Sequence, residues 1–542
     1  MQRENYPIPN FIRPRFKSLD GDWSVDLFCE SETRNFTITL PCELGSNASN
    51  TGSIEDVITA VYYKTFELNA SEINGAVLLN FISLSSSARI YVNDVLIAQN
   101  YGSMHSLHFD VSQCVKDGEN VLKVITSREG EMHLPLGILG DVWLEFSAKT
   151  YFGAIRTFAS LLDKNIYIQG AVAGETEGYK VKVEIAYDKK PVATYEYRAK
   201  SILNLSANLK TTTVYLWQAL EPRFYEVRLS LFNSNGGLCD QIYTYCAFRT
   251  ITLVDNKLYV NGHPTFIRAL EVDGVYSHTG LVASSAKAIA QDYAAILMMG
   301  FNAIHFNRYP TPRELYIADK LGILVRASLQ GESRNVDIPD NFNAFATEAQ
   351  MITNRDFGHP SLIMKVPFTN YNGSKVAQES TYKLLKQTDP YTLVSISGGD
   401  LYDSDLYEFR EESGNKNEIE EWLIYRFNGV KLSEKEDLKR RKQKPELLSE
   451  DTLRRMPVYV GSITATPLRA NDLYREAQFL NNYAEQLDLI LASGAVGFTL
   501  GRLYDSKDNK NGLLTANRDF KISRDGIAKL HAINKKKAIS EQ

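Results

Sequence analysis

The sequence predicts three domains in series, two antiparallel β-sandwiches followed by a (β/α)8 barrel. Three observations predict it. At 542 residues the chain exceeds what a single hydrophobic core serves. Up to residue 252, short alternating strands are separated by turn residues, with almost no helical periodicity. From Leu253 the pattern changes to strand and helix in alternation over the rest of the chain.

In the first domain, 1–148, the run VLLNFISLSSSARIYVNDVLIAQ gives two or three strands, with Asn93-Asp94 as a hairpin turn. LHFDVSQCVKDGENVLKVIT and GDVWLEF add more strands. In the second, 149–252, YIQGAVAG, YKVKVEIAYD, ATYEYRAK and RFYEVRLSLFN alternate with period two, which fits an immunoglobulin-like sandwich. In the third, 253–542, AKAIAQDYAAILMMG is an amphipathic helix closed by Gly300. FNAIHF, ILVRASL, YTLVSIS, MPVYVGS and AVGFTLGRL read as barrel strands. PRELYIADKLG, TYKLLKQTDP and LYREAQFLNNYAEQLDLILAS read as the helices between them. Residues 409–450, with the KRRKQK run at 439–444, read as a charged, solvated surface insertion.

Composition excludes several classes of function. A net charge of −5 gives no electrostatic reason to expect nucleic acid. No apolar run approaches a membrane span, and MQRENYPIPNFIRPRF lacks the apolar core of a secretory signal. The five cysteines, Cys29, Cys42, Cys114, Cys239 and Cys246, are scattered and never in C-x-x-C spacing. Free thiols in a reducing, cytoplasmic compartment are therefore expected, with no zinc site and no cofactor. His105 and His108 are three apart in a strand region, on opposite faces, and make a poor metal pair.

The chain is organised around NRDFGHPSLIMKVPFTN, residues 354–370: a polar helix end, a His-Pro break, then an apolar run one buried strand long. This stretch resembles the acid/base signature of glycoside hydrolase family two, the β-galactosidase and β-glucuronidase family. There the pattern R-D-x-x-H-P-S-[VI] leads to a terminal N-E whose Glu is the proton donor. SLDGDWSVDLF, ARIYVNDVLIAQ and GILGDVWLEF resemble the family's N-terminal jelly-roll domain, although the segment between Ile125 and Gly137 is shorter than the family's loop. KLYVNGHPTFIRALEVDG resembles the family's entry into its barrel. The resemblance covers essentially the whole chain and implies a jelly-roll sandwich, an immunoglobulin-like sandwich and a barrel that acts on sugars.

Position by position, the resemblance keeps the scaffold and rewrites the site. Asn370 stands where the family's acid/base Glu belongs, with Tyr371 beside it. PVYVGSIT places Ser462 where the nucleophilic Glu belongs, and Ser328 falls at a further acidic position. In NAIHFNRYP, His305 replaces an Arg and Arg308 replaces a His, with Asn307 between them; Arg502 replaces a Gln. Glu271, Glu332, Asp400 and Asp505 near strand ends are the remaining acids that could rescue catalysis, each otherwise a cap or surface carboxylate. A Ser462–His305 dyad lacks the G-x-S-x-G elbow that such chemistry uses. His359, before Pro360, reads as a structural hydrogen bonder; Tyr276, Tyr371 and Tyr504 could stack on sugar rings or pack in the core.

The expectation is a family-two relative without catalysis, binding carbohydrate at the barrel mouth or serving as a scaffold for a protein partner or a second copy. The competing expectation is an active exo-β-glycosidase using displaced carboxylates. With His305, Arg308 and Arg502 near the mouth, the pocket is expected to be basic and its ligand neutral or anionic, such as a uronic acid.

Overall fold

The computed structural model describes residues 3–85, 87–101, 105–128, 135–209, 213–369, 373–397, 404–410, 456–463, 466–506 and 509–536. It forms two β-sandwiches and a closed barrel of eight parallel strands. The 439–444 run, Asn370, Tyr371 and Asp400 lie outside the described residues, as does the side chain of Glu332.

The first sandwich packs a six-stranded sheet on a four-stranded one, with every pairing antiparallel. The alternation read from sequence is a burial alternation. In Gly118–Ser127, Asn120, Leu122, Val124 and Thr126 face the core while their neighbours lie nearer solvent. Asn93 and Asp94 both take positive φ, 49° and 64°, as a two-residue hairpin turn between Ser87–Val92 and Val95–Tyr101 demands. The second sandwich pairs a three-stranded sheet with a four-stranded one around Val181, Val183, Leu229 and Ile242.

Residues Ile251–Val254, Lys257–Val260 and His263–Pro264 form a small antiparallel sheet before the barrel. Two tight turns fold it, Asp255-Asn256 and Asn261-Gly262, all at positive φ. The barrel strands are Ile267–Val272, Ala303–Phe306, Leu324–Ser328, Leu362–Val366, Leu393–Ser397, Leu406–Arg410, Val458–Ile463 and Gly497–Leu500. The helix Ala286–Met298 ends as expected, with Gly300 at φ 83°. The helix Pro312–Leu321 begins in a full capping box between Thr311 and Glu314 and stops at Gly322 in the left-handed region. Among the described residues no helix is long and apolar enough to cross a membrane, and all five cysteines are free.

The sandwiches and the barrel are fastened by charge clusters. Arg13, in the N-terminal segment, is 2% exposed and sits between Glu145 of the first sandwich and Asp240 of the second. Its Nε and Nη2 donate to Asp240 at 3.0 and 2.9 Å, and Nη2 donates to the Phe152 carbonyl at 2.7 Å. Burial alone would lower its pKa, but Glu145 and Asp240 hold it raised. Arg313 of the barrel grips Asp141 of the first sandwich through two bonds of 3.0 and 3.1 Å. Beside that pair, burial and the Asp141 charge push the Asp20 carboxyl up to about 7.

Removing one partner of a buried cluster leaves the others uncompensated, which costs roughly 3–5 kcal/mol. Arg13→Met is therefore expected to lose about that much stability in urea unfolding, because Glu145 and Asp240 would both remain buried. A loss within about 0.5 kcal/mol, the range of ordinary surface substitutions, would show that the clamp carries little of the docking.

Candidate functional site

All eight barrel strands are parallel, so their C-terminal ends open on one mouth, where such barrels place their chemistry. Three levels lie inside. At the bottom, Trp217 of the second sandwich shares one buried apolar cluster with Ala269, Ala303, Leu324, Leu393 and Leu406. Above it is a polar level drawn from most of the strands. Arg326 pairs with Glu408, and its Nη1 lies 2.9 and 3.0 Å from the two ring nitrogens of His305. Ser395 Oγ donates to Glu408 at 3.0 Å, and the Arg326 guanidinium lies 4.8 Å from the centroid of the Tyr459 ring. Tyr459 OH meets Thr499 Oγ1 at 2.8 Å, and Thr499 Oγ1 meets His305 Nδ1 at 3.4 Å. Gly461 stands beside the Glu408 carboxylate, with no room for a side chain.

The third level is the mouth. Asn307 Nδ2 donates to Glu271 at 2.9 Å and to Asp273 at 2.5 Å. Arg502 pairs with Asp273 and lies 3.7 Å from Glu271. These four half-buried residues come from the ends of the first, second and eighth strands. Ser462, half-buried, sits near the end of the seventh strand, in register with Arg410 of the sixth.

The residues singled out by sequence divide accordingly. Asn307 and Arg502 both lie at the mouth, on the same two acids, and Ser462 lies near its strand end. His305 does not reach the mouth: at 1% exposure it lies within the polar level, facing Arg326 and Thr499 rather than acting as a base for Ser462. Arg308 is buried and bound to both oxygens of Glu314, at 2.7 and 3.0 Å, and to the carbonyls of Gly274 and Tyr309. Gly274, at φ 67°, must be glycine because a Cβ would strike that guanidinium. Ser328 is buried and accepts a local turn bond from the Gln330 backbone N–H at 3.2 Å.

The basic mouth expected from His305, Arg308 and Arg502 therefore does not form, since each cation is already paired or enclosed. Tyr504 is buried, with the Arg518 guanidinium 3.7 Å from its ring centroid, and offers no open stacking face. The Tyr276 hydroxyl reaches Glu314 at 3.4 Å. Asp505 caps a loop, bound by Lys521 and the Gly512 N–H. His105 faces Glu348 while His108 bonds Asn80, so the two do not converge. Among the described residues no group of three or more His, Cys, Asp or Glu is placed to hold a metal. Asp273 was missed by sequence, although Glu271-Val272-Asp273 at a strand end already puts two acids on one face.

Comparisons with known proteins agree with this architecture. The family described as "Glycosyl hydrolase 2 galactose-binding domain-like" matches residues 43–134, and "Glycosyl hydrolases family 2, TIM barrel domain" matches residues 251–518. A β-galactosidase of Enterobacter cloacae is 24% identical over 372 residues, covering 63% of this chain and 36% of that protein. A β-galactosidase of Kluyveromyces lactis is 24% identical over 431 residues, covering 65% and 41%. The chain thus aligns with well under half the length of these curated relatives. Among solved structures, a β-glucuronidase from an uncultured Clostridium sp. superposes with a TM-score of 0.74 at 17% identity, over 96% of this chain and 98% of that one. The FMN-binding β-glucuronidase from Facaelibacterium prausnitzii L2-6 gives 0.77 at 17% identity, over 96% and 86%. At these identities the likeness is one of fold.

The polar level makes a test of its own. Glu408→Gln leaves Arg326 charged in a sealed barrel and is expected to cost about 3–5 kcal/mol, whereas Arg326→Met with Glu408→Leu removes both charges and should recover most of that loss. Chemical denaturation of the two variants decides it: a double variant as unstable as the single one would mean that packing, not charge pairing, sets the level.

Proposed function

The chain belongs to family 2 of the glycosyl hydrolases, and on that premise we propose that it is a carbohydrate-binding member whose barrel mouth does not hydrolyse glycosides. The single observation that carries the reading is the placement of the mouth acids. A glycosidase needs two carboxyl groups flanking the scissile bond, about 5 Å apart when the configuration is retained and about 6.5–9.5 Å apart when it is inverted. Glu271 and Asp273 stand two residues apart at one strand end and share the same Asn307 amide and the same Arg502. Among the described residues these are the two acids of the mouth cluster, and both come from one strand end rather than from opposite sides.

The sequence supports the same reading. By resemblance, Asn370 holds the place of the proton donor and Ser462 that of the nucleophile. An amide cannot give up a proton at neutral pH, and loss of general acid help costs roughly 10²–10⁴ in rate. A serine without a base is a poor nucleophile and does not reach as far as Glu. What remains suits hydroxyl groups: Asn307 and Arg502 donate, and Glu271 and Asp273 accept. That set favours a neutral sugar over a uronate, since of the three cations of the earlier expectation His305 and Arg308 are spent elsewhere and Arg502 is paired with Asp273.

Two measurements test the proposal. Activated aryl β-galactosides, glucosides, glucuronides and mannosides need no acid to leave, so the purified protein is expected to release no aryl alcohol steadily. Steady release abolished by Glu271→Gln or Asp273→Asn would replace this reading with that of an active exo-β-glycosidase. Asn370→Glu combined with Ser462→Glu is expected to restore little, because residues that act as a unit are not additive. Calorimetry should show neutral hexoses binding, weakened by Asn307→Ala. No heat with any sugar would favour a protein scaffold instead.

A further inference from the structure

The second sandwich meets the barrel over one buried carboxylate. Asp319 lies on the helix Pro312–Leu321, fully enclosed. Its Oδ2 accepts from the Tyr245 hydroxyl of the sandwich at 2.7 Å and from Nδ1 of His359 at 2.6 Å. Its Oδ1 accepts from the Ser361 N–H at 2.8 Å, and its backbone carbonyl accepts from the Trp217 indole at 2.9 Å. One residue thus holds two aromatic side chains of the sandwich side and the His-Pro-Ser segment that leads into the fourth barrel strand.

His359 is 3% exposed, and its Nε2 has no partner among the described residues. It lines a small polar cavity with Asn10, Arg156, Thr157, Thr244 and Gly358, where three parts of the chain meet. An Asn or Gln could make the Asp319 bond. Histidine adds a charge that changes within the physiological range. We propose that His359 is a proton-operated latch, whose imidazolium, clamped on Asp319 beneath Tyr245, fastens the second sandwich to the barrel and whose deprotonation loosens that junction.

Of the charges around the ring, Asp319 and Asp356 favour this direction and Arg355 opposes it. Asp319 faces it from the helix, and Asp356 and Arg355 from its own segment, where they pair with each other. From the sandwich come Tyr245, Arg249 and Arg156, whose guanidinium lies 4.6 Å from the Phe357 ring centroid. From the N-terminal segment comes Arg3, 5.6 Å from the Tyr245 ring centroid. Burial by itself would lower the His359 pKa, but the Asp319 charge and hydrogen bond outweigh it and raise the value above the ordinary 6.5. A histidine whose folded pKa is raised gives its full stabilisation below the unfolded value and loses it as pH climbs through the folded one. The junction should therefore weaken from near neutrality upward. Asp20, at the other docking point, titrates in a lower window, between its ordinary 3.8 and about 7, so the two are separable by pH.

Hydrogen exchange of the full chain, corrected for intrinsic rates, tests the latch from about pH 6.5, the ordinary histidine value, upward. Peptides carrying Tyr245 and residues 312–321 are expected to open about tenfold more readily per pH unit until the folded pKa is passed. In His359→Asn, which still offers an N–H to Asp319 but carries no charge, that slope should vanish. Tyr245→Phe should open more readily at every pH and keep the slope, since the His–Asp pair remains. Exchange of the native chain that does not vary with pH in these peptides overturns the latch even if His359→Asn fails to fold. So does a slope that His359→Asn retains in full.

Discussion

The Arg326–Glu408 pair, closed inside the barrel, sets what the mouth above it can be. Taking two charges out of water is costly, and the cost is recovered only where geometry and further hydrogen bonds satisfy both ions. Here that requirement recruits His305, Ser395 and Tyr459 from three other strands, and it obliges Gly461 to carry no side chain. Residues that a family-two barrel could otherwise turn toward a sugar are committed to one another. The polar level is a floor, and a ligand entering from the C-terminal side meets it beneath the ring of Glu271, Asp273, Asn307 and Arg502. Such a level is no ready source of stability, because an apolar level of equal volume costs less to bury.

The fold was legible because its signals are periodic. Two-residue alternation places whole strands, as in Gly118–Ser127, and a capping box or a closing glycine places helix ends. The site was less legible because depth along a barrel strand leaves no mark in a short motif. NAIHFNRYP locates the end of the second strand correctly, yet in the strand Ala303–Phe306 the inward position falls at His305, one level below the rim. Arg308 could have been placed from sequence. The Thr311-Pro312-Arg313-Glu314 capping box sets a carboxylate at a helix start just beyond it, and a buried arginine finds such a partner. Nothing local in the sequence announces Glu408, since its partner lies 82 residues away.

The same economy governs how the domains join. One contact between a sandwich and the barrel joins a carboxylate to the backbone of a mouth loop. The loop after the strand Thr33–Leu40 shows this. Glu43 accepts from the Leu281 N–H at 2.9 Å while its own N–H donates to the Thr279 carbonyl at 3.0 Å, and the Ala48 N–H donates to His278 at 2.7 Å. Gly280 lies against the Glu43 side chain with no space for a Cβ. This loop of the first sandwich therefore pins the first strand-to-helix loop of the barrel, the one that begins at Asp273 and Gly274. Since Gly274 cradles Arg308 and Asp273 holds Arg502, the wall of the mouth is a structure of two domains. Among the described residues none of that sandwich's side chains belongs to the mouth cluster itself, so its part is to hold the loop that carries Asp273 and Gly274.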